Sequence, residues 1–394
     1  MKILVIPHQM CMGGSQINAL ELAKAVQDAG HDVTVYAPSG VLDPLVKDMG
    51  LRRVHKSTDA NFSVSSVREL TRLVRQESID MVHAYEWGPS LESTFGPHLF
   101  LRVPVLTTVL SMDVPHFLAR HLPLTVGTEE LMYRHRVDWS SVHLTEPPVD
   151  TTHNTPGEGM LDRVSFGFLE NHIVVGIVCR LTTDLGKVHG VFDAIEVVGE
   201  LAEHFPVRLL IVGDGSGLAE VRARAAAVNS AHGEIVVNAV GAMLDPRAAY
   251  NCADIMLGMG SSALKSMAFA KPLIVQGELG FWKLLDESTI GEFYDNGWFG
   301  QRGRGSEDLR AALRTIVDDS VRRSTLGAYG LRVVEQRFAL GIVAADLTQL
   351  YERIVADPPR RRAVGLLVSA ARSMKFGLDT RRVLTRRKAL RGDE

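Results

Sequence analysis

Cysteine is scarce. Cys11, Cys179 and Cys252 are the only three in 394 residues; they lie far apart and form no Cys-x-x-Cys pair. That pattern excludes a disulfide framework and a zinc ribbon, and it fits a reducing cytoplasm. No apolar run is long enough to span a bilayer, and Met1–Pro7 is too short for the apolar stretch of a secretion signal. The formal charge of −3 carries no overall mark of nucleic-acid binding, and no such partner is expected. Repeats of solenoid length and low-complexity tracts are also missing. The composition is that of a soluble globular protein, 46% apolar and 23% charged, in a chain long enough for two domains with separate cores.

Strands and helices alternate from the start. Lys2–Ile6 reads as a strand, continuously apolar after Lys2, as expected of a strand buried on both faces. The turn around Gly13-Gly14 leads into a helix over Gln16–Ala29, with Gly30 placed to end it, and Val33–Ala37 follows as a strand. Such a turn belongs at the carboxyl edge of a parallel sheet, where ligands bind in these folds, although it lacks a Gly-x-Gly-x-x-Gly fingerprint. Gly13, Gly14 and Gln16 are therefore cleft candidates. The alternation continues with a helix over Ser63–Gln76, a strand over Ile79–Ala84, a helix over Pro89–Leu101 and strands at Val103–Val109, Leu124–Gly127 and Val142–Leu144. His83 and Glu86, at the end of one strand, and Asp113, after the next, join the cleft candidates. The Pro- and Gly-rich run beginning near Glu146 reads as a linker.

A second alternating series starts at Ile173–Val178. Its first loop carries two cations, Arg180 and Lys187, and leads into a helix with Val191, Ile195, Val198, Ala202 and Phe205 on one face. Strands are expected at Val207–Val212, Glu234–Val237 and Asp254–Leu257, and Gly213, Asp214 and Gly215 follow the first of them. The stretch from Asp254 to Gly277 reads as strand, Gly-rich elbow, helix over Ala263–Ala270 and strand over Leu273–Gln276. Gly258 and Gly260 allow a sharp turn, and Ser261 or Ser262 is placed to cap the helix. Its free N–H groups and dipole make an anion site. Lys271-Pro272 should end the helix.

At this point the chain resembles the GT-B-fold glycosyltransferases of family four. The resemblance rests on an ordered set of matches covering roughly residues 1–350. They are Gly13-Gly14 before a helix with Leu22-Ala23, Val82-His83-Ala84, Pro148-Val149-Asp150 and Arg180-Leu181 with Lys187. Ile211-Val212-Gly213-Asp214-Gly215, Tyr250-Asn251-Cys252-Ala253-Asp254 and Leu264…Met267-Ala268…Lys271-Pro272 complete it. The resemblance implies an α/β architecture of two doubly wound Rossmann-like domains facing each other across a cleft. It implies sugar transfer from a nucleotide-diphosphate donor with retention and without a metal or other cofactor, the nucleotide sugar being a substrate. Arg180 and Lys187 would stabilise the leaving diphosphate. Gly213, Asp214, Gly215, Gly260, Ser261, Ser262 and Lys265 would lie along the donor, and Gly13, Gly14, Gln16, His83, Glu86 and Asp113 on the acceptor side. The acceptor itself, a small molecule, a glycan or a lipid-linked group, is not specified.

Two departures stand out. Lys265 occupies the place of a family Glu that commonly contacts the donor ribose, replacing an acceptor with a cation. Leu110 stands where a His near the donor sugar is usual; Asp113 and Glu278 are the nearest substitutes. These departures keep open a non-catalytic binding or scaffold protein; an epimerase or phosphorylase of the same fold is the other alternative, and the missing Glu and His count against it, because proton transfer needs such groups in the cleft. The expected organisation is a first domain over 1–150, a linker over 151–170, a second domain over 171–338, a helix over 339–357 and a basic tail over 358–394. That tail carries eleven Lys and Arg against three acidic residues, including the cluster Arg381, Arg382, Arg386, Arg387, Lys388 and Arg391. One reading of it is a peripheral contact with an anionic membrane; the other is a solvated or packed helix.

Overall fold

The computed structural model describes residues 1–57, 62–157, 159, 161, 163–358 and 365–373. The chain divides into two compact units: Met1–Pro147 with the described residues from Val343 onward, and Pro148–Ile342.

The first unit is built on β1 (Lys2–Ile6), β2 (Asp32–Ala37), β3 (Arg52–His55), β4 (Met81–Tyr85), β5 (Val105–Val109), β6 (Leu124–Val126) and β7 (Val142–Leu144). They form one sheet in the order β3-β2-β1-β4-β5-β6-β7, with every pair parallel. The order reverses between β1 and β4, which leaves a crevice at the carboxyl ends of those two strands. Ile3, Leu4, Val5 and Ile6 are all buried, because helices cover both faces of the sheet. The helix Gly14–Asp28 buries Ala19, Leu20, Leu22, Ala23 and Val26. The helix Val64–Gln76 begins with a capping box: Ser63 accepts from the Ser66 N–H, and the Ser66 hydroxyl accepts from the Ser63 N–H. Such a box is worth about 1 kcal/mol.

The second unit is built on β8 (Ile173–Val178), β9 (Val207–Val212), β10 (Val237–Gly241), β11 (Ile255–Gly258), β12 (Leu273–Gln276) and β13 (Trp282–Leu284). Their order is β10-β9-β8-β11-β12-β13; all pairs are parallel except β12–β13. Here the reversal falls between β8 and β11. Val149, which bridges to Ala339, packs on this unit, and Phe166 and Phe168 are buried in it with Val174 and Tyr250. The GT-B architecture, two Rossmann-like α/β units, is thus realised.

Some local expectations shift for identifiable reasons. The strand expected at Glu234–Val237 forms at Val237–Gly241. Ahead of it, Gly233 ends a helix with φ 70°, and the Asn229 carboxamide takes the Val236 and Val237 N–H groups at 2.8 Å each. The helix expected at Pro89–Leu101 starts at Trp87 and changes at Thr94 to wider π winding, with Pro97, which has no N–H to donate, inside it. The short elements Asp43–Asp48, Glu129–His135 and β13 are too brief to show a period in the sequence.

Candidate functional site

In the second unit, the register Ile255↔Val175 and Leu257↔Ile177 makes β8 and β11 emerge side by side at the sheet's carboxyl edge. The loops after β8, β9 and β11 therefore share that edge. Two are held together by backbone: the Leu181 N–H donates to Asp214 O, and the Gly217 N–H donates to Leu181 O, both at 2.9 Å. Glycine is required for this approach. A Cβ on Gly213 would stand 1.8 Å from Cys179 O and one on Gly215 2.5 Å from Leu181 O, at φ of 152° and 150°. Asp214 is exposed, and its carboxylate accepts the N–H of Gly215.

The loop after β8 gathers charge. Asp184 Oδ2 lies 2.9 Å from Lys187 Nζ and 3.6 Å from the Arg180 guanidinium. The Thr182 side chain and the Lys187 ammonium hold the Asp184 carboxyl down at about 2. Arg180 is exposed. Lys187 is not in the loop, where the sequence placed it with Arg180: it is buried, at the first position of the helix Lys187–Leu201. The cause is the turn before it, where Leu185 (φ 54°) and Gly186 (φ 66°) are both left-handed and start the helix early. A leucine in that conformation carries roughly 1–2 kcal/mol of strain.

The elbow after β11 also differs from expectation. The helix Ser261–Ala268 has Gly260 as its N-cap, at φ 54° and ψ −128°, and no side chain caps it. Ser262 instead accepts the Met259 N–H and donates to Met259 O. Ser261 is exposed on the first turn. The helix stops before Lys271, because Ala270 is left-handed; Lys271 turns inward to donate to Asn251 O at 3.1 Å, and burial lowers its pKa. Lys265 is half-buried, and its charge helps depress the Asp245 carboxyl, after the larger effect of Arg247.

The first unit's candidates are not brought together in this way. Gly13 is the N-cap of Gly14–Asp28 in extended conformation, with Gly14 exposed and Gln16 half-exposed. His83 is not a cleft residue. It is fully buried, with Nδ1 on the Tyr351 hydroxyl and Nε2 on the Thr108 hydroxyl, and burial lowers its pKa to about 3. Both faces of β4 are covered, so the end of that strand offers no outward position. Glu86 is likewise turned to internal use: 8% exposed, it accepts the Leu110 N–H at 3.0 Å and the Ser111 hydroxyl at 2.7 Å. It braces the loop after β5. Asp113 is exposed, and its charge bears on His135.

A pocket of about 310 Å³ sits at the carboxyl ends of β1, β2 and β3, lined by His8, Gln9, Cys11, Ser39 and Lys56 among others. None of the sequence candidates lines it. Burial lowers the His8 pKa, and Lys56 forms a buried ion pair with Glu92 at 2.9 Å. The sequence reading also missed Asp184, although its place four residues after Arg180 and three before Lys187 is a helical ion-pair spacing. Of the basic tail, residues 365–373 are described as helix, where Ser369 donates to Phe117 O and Arg372 to His116 O. The cluster from Arg381 to Arg391 lies outside the described residues. No described helix is long and apolar enough to cross a membrane.

Residues 12–152 match the family model described as Glycosyltransferase Family 4. No curated protein matches the chain in sequence. Among solved structures, a glycosyltransferase from Rickettsia africae superposes with a TM-score of 0.71 at 14% identity, over 90% of this chain and 99% of its own. HepE from Anabaena, solved with UDP and glucose, gives 0.68 at 16% identity, over 90% of this chain and 100% of its own. WaaG, a glycosyltransferase involved in lipopolysaccharide biosynthesis, gives 0.60 at 14% identity, over 89% and 99%. The chain is therefore a GT-B-fold protein like the family-four glycosyltransferases, with that family's sequence pattern carried by residues 12–152.

Proposed function

We propose that the protein is a glycosyltransferase whose second unit binds a nucleoside-diphosphate sugar and whose first unit presents the acceptor. The carrying observation is the convergence of Arg180 and Lys187 on one anionic oxygen, Asp184 Oδ2. On this reading the Asp184 carboxylate marks where a phosphate oxygen would be held. A diphosphate with more charge and more acceptor oxygens competes for the same two cations, Arg180 as a fork and Lys187 as a point charge. Transfer breaks the bond between the anomeric carbon and the diphosphate oxygen, forms one to the acceptor oxygen and releases the acceptor's proton. Negative charge grows on the leaving diphosphate, so the cations and the N–H groups at the start of Ser261–Ala268 act most strongly in the transition state. On this reading the reaction proceeds with retention and needs no metal.

Lys265 in place of a carboxylate alters how the ribose side of the donor is met, with Asp245 the nearby acceptor. That departure and Leu110 favour one second reading, a donor-binding protein that transfers nothing. The two separate on one assay. Calorimetry with UDP-, GDP-, ADP- and dTDP-sugars, with and without EDTA, identifies the donor, and slow hydrolysis of that donor in the absence of acceptor shows a reactive centre. Binding without any hydrolysis or transfer supports the second reading; no binding ends both. The basic tail extends the proposal to a peripheral contact with anionic membrane, placing the enzyme near lipid-linked acceptors. Truncation after Asp357 should abolish partitioning onto vesicles containing phosphatidylglycerol, and unchanged partitioning would remove that extension.

A further inference from the structure

Behind the cation pair lies a polar side chain that the proposed chemistry does not use. Gln276 is the last residue of β12, 1% exposed, after the apolar Leu273, Ile274 and Val275. Its Nε2 donates to Lys187 O at 3.0 Å and to Gly186 O at 3.3 Å. Two carbonyl partners fix which end of the amide is nitrogen, so Oε1 points the other way, where it is buried with no partner among the described residues. A buried acceptor left unpaired is a cost that an apolar residue at the end of this strand would not carry. What the cost secures is visible on the partner helix. A Cβ on Gly190 would stand 2.0 Å from the Gln276 Nε2, so only glycine lets the carboxamide lie against the first turn. The turn that precedes Lys187 is a poor anchor by itself, with two successive left-handed residues and an exposed Arg180–Asp184 pair.

We propose that Gln276 is a positioning residue: with Gly190 it fixes the first turn of Lys187–Leu201 against β12 and so places the Lys187 ammonium for the terminal phosphate of a nucleoside diphosphate. This rests on the donor site proposed above. It predicts an effect confined to the phosphate that Lys187 meets.

The test is calorimetric binding of UDP and UMP to the full chain, in the wild type and in Gln276→Met, Gln276→Glu and Gly190→Ala, with thermal melts alongside. Gln276→Met keeps the length and removes both donors; it should weaken UDP about tenfold and leave UMP within about twofold. Gly190→Ala keeps the glutamine but displaces its carboxamide, and should show the same selective loss. In Gln276→Glu the carboxylate donates nothing, whereas its protonated form, favoured by burial, donates one bond. Its deficit for UDP relative to wild type should therefore shrink between about pH 8 and about pH 6. Unchanged UDP affinity in folded variants, or equal losses for UDP and UMP, would overturn the proposal; the latter would mean general loosening. If the Gln276 variants fail to fold, Gly190→Ala decides. A wild type that binds no UDP, and no GDP, ADP or dTDP either, would instead overturn the donor site itself.

Discussion

At the carboxyl edge of the second unit's sheet, the charges that follow the strands gather around one another. Asp184 is shared between an exposed Arg180 and a buried Lys187, on loops held close by Gly213 and Gly215. At the same edge of the first unit, two of the polar groups, His83 and Glu86, are committed to the unit's own framework. His83 ties β4 to Thr108 and Tyr351, and Glu86 braces Leu110 and Ser111. The topology is the same in both, with the strand order reversing beside the first strand of each sheet. Its consequence differs because availability depends on partners. On the proposed reading, a polar residue near a strand end serves a site only where its neighbours leave it exchangeable, as Asp184 would leave Lys187.

Substitutions in the two units should separate accordingly. The largest effect is expected from Lys187→Met, which keeps the buried stem and removes the ammonium: UDP affinity should fall about a hundredfold, or about 2.7 kcal/mol, with the melting temperature little changed. Retained affinity would mean that the buried lysine serves the fold only. Glu86→Ala should lower the stability of the first unit by about 2 kcal/mol, since it leaves the Leu110 N–H unpaired, while UDP affinity stays within about twofold. A collapse of UDP binding in that variant would break the contrast between the units.

His83 sharpens it through pH. Its folded pKa lies near 3, below the ordinary 6.5, so the unfolded chain takes up the proton first. Stability contributed by the neutral ring is present above pH 6.5 and is lost as pH falls from there toward 3, by up to about 1.4 kcal/mol per pH unit. Urea midpoints at a series of pH values should show that slope, and His83→Gln should flatten it. The smallest effect is expected from Arg180→Ala. Its side chain is 59% exposed, so the loss should be about threefold and should shrink as salt is raised.

The fold was legible in the sequence because strands buried on both faces write continuous apolar runs, as Ile3–Ile6 and Leu209–Val212 do. The second unit's loops were legible because close backbone approach demands glycine, and Gly213 and Gly215 record it. Other features left weaker traces. Nothing in the alternation along β4 distinguishes an outward from an inward His83 when both faces are covered. The burial of Lys187 follows from a left-handed Leu185, a conformation that side-chain identity does not announce. Gln276 carried a signal, a lone carboxamide ending an apolar strand, but its meaning needed Gly190, 86 positions away, to be placed beside it.

The most direct test of the central claim is calorimetry of the metal-free wild-type protein and Lys187→Met with UDP, GDP, ADP and dTDP. One diphosphate should bind saturably to the wild type and about a hundredfold more weakly to the variant. No binding to the wild type, or equal binding to both proteins, would contradict a phosphate site at Arg180 and Lys187.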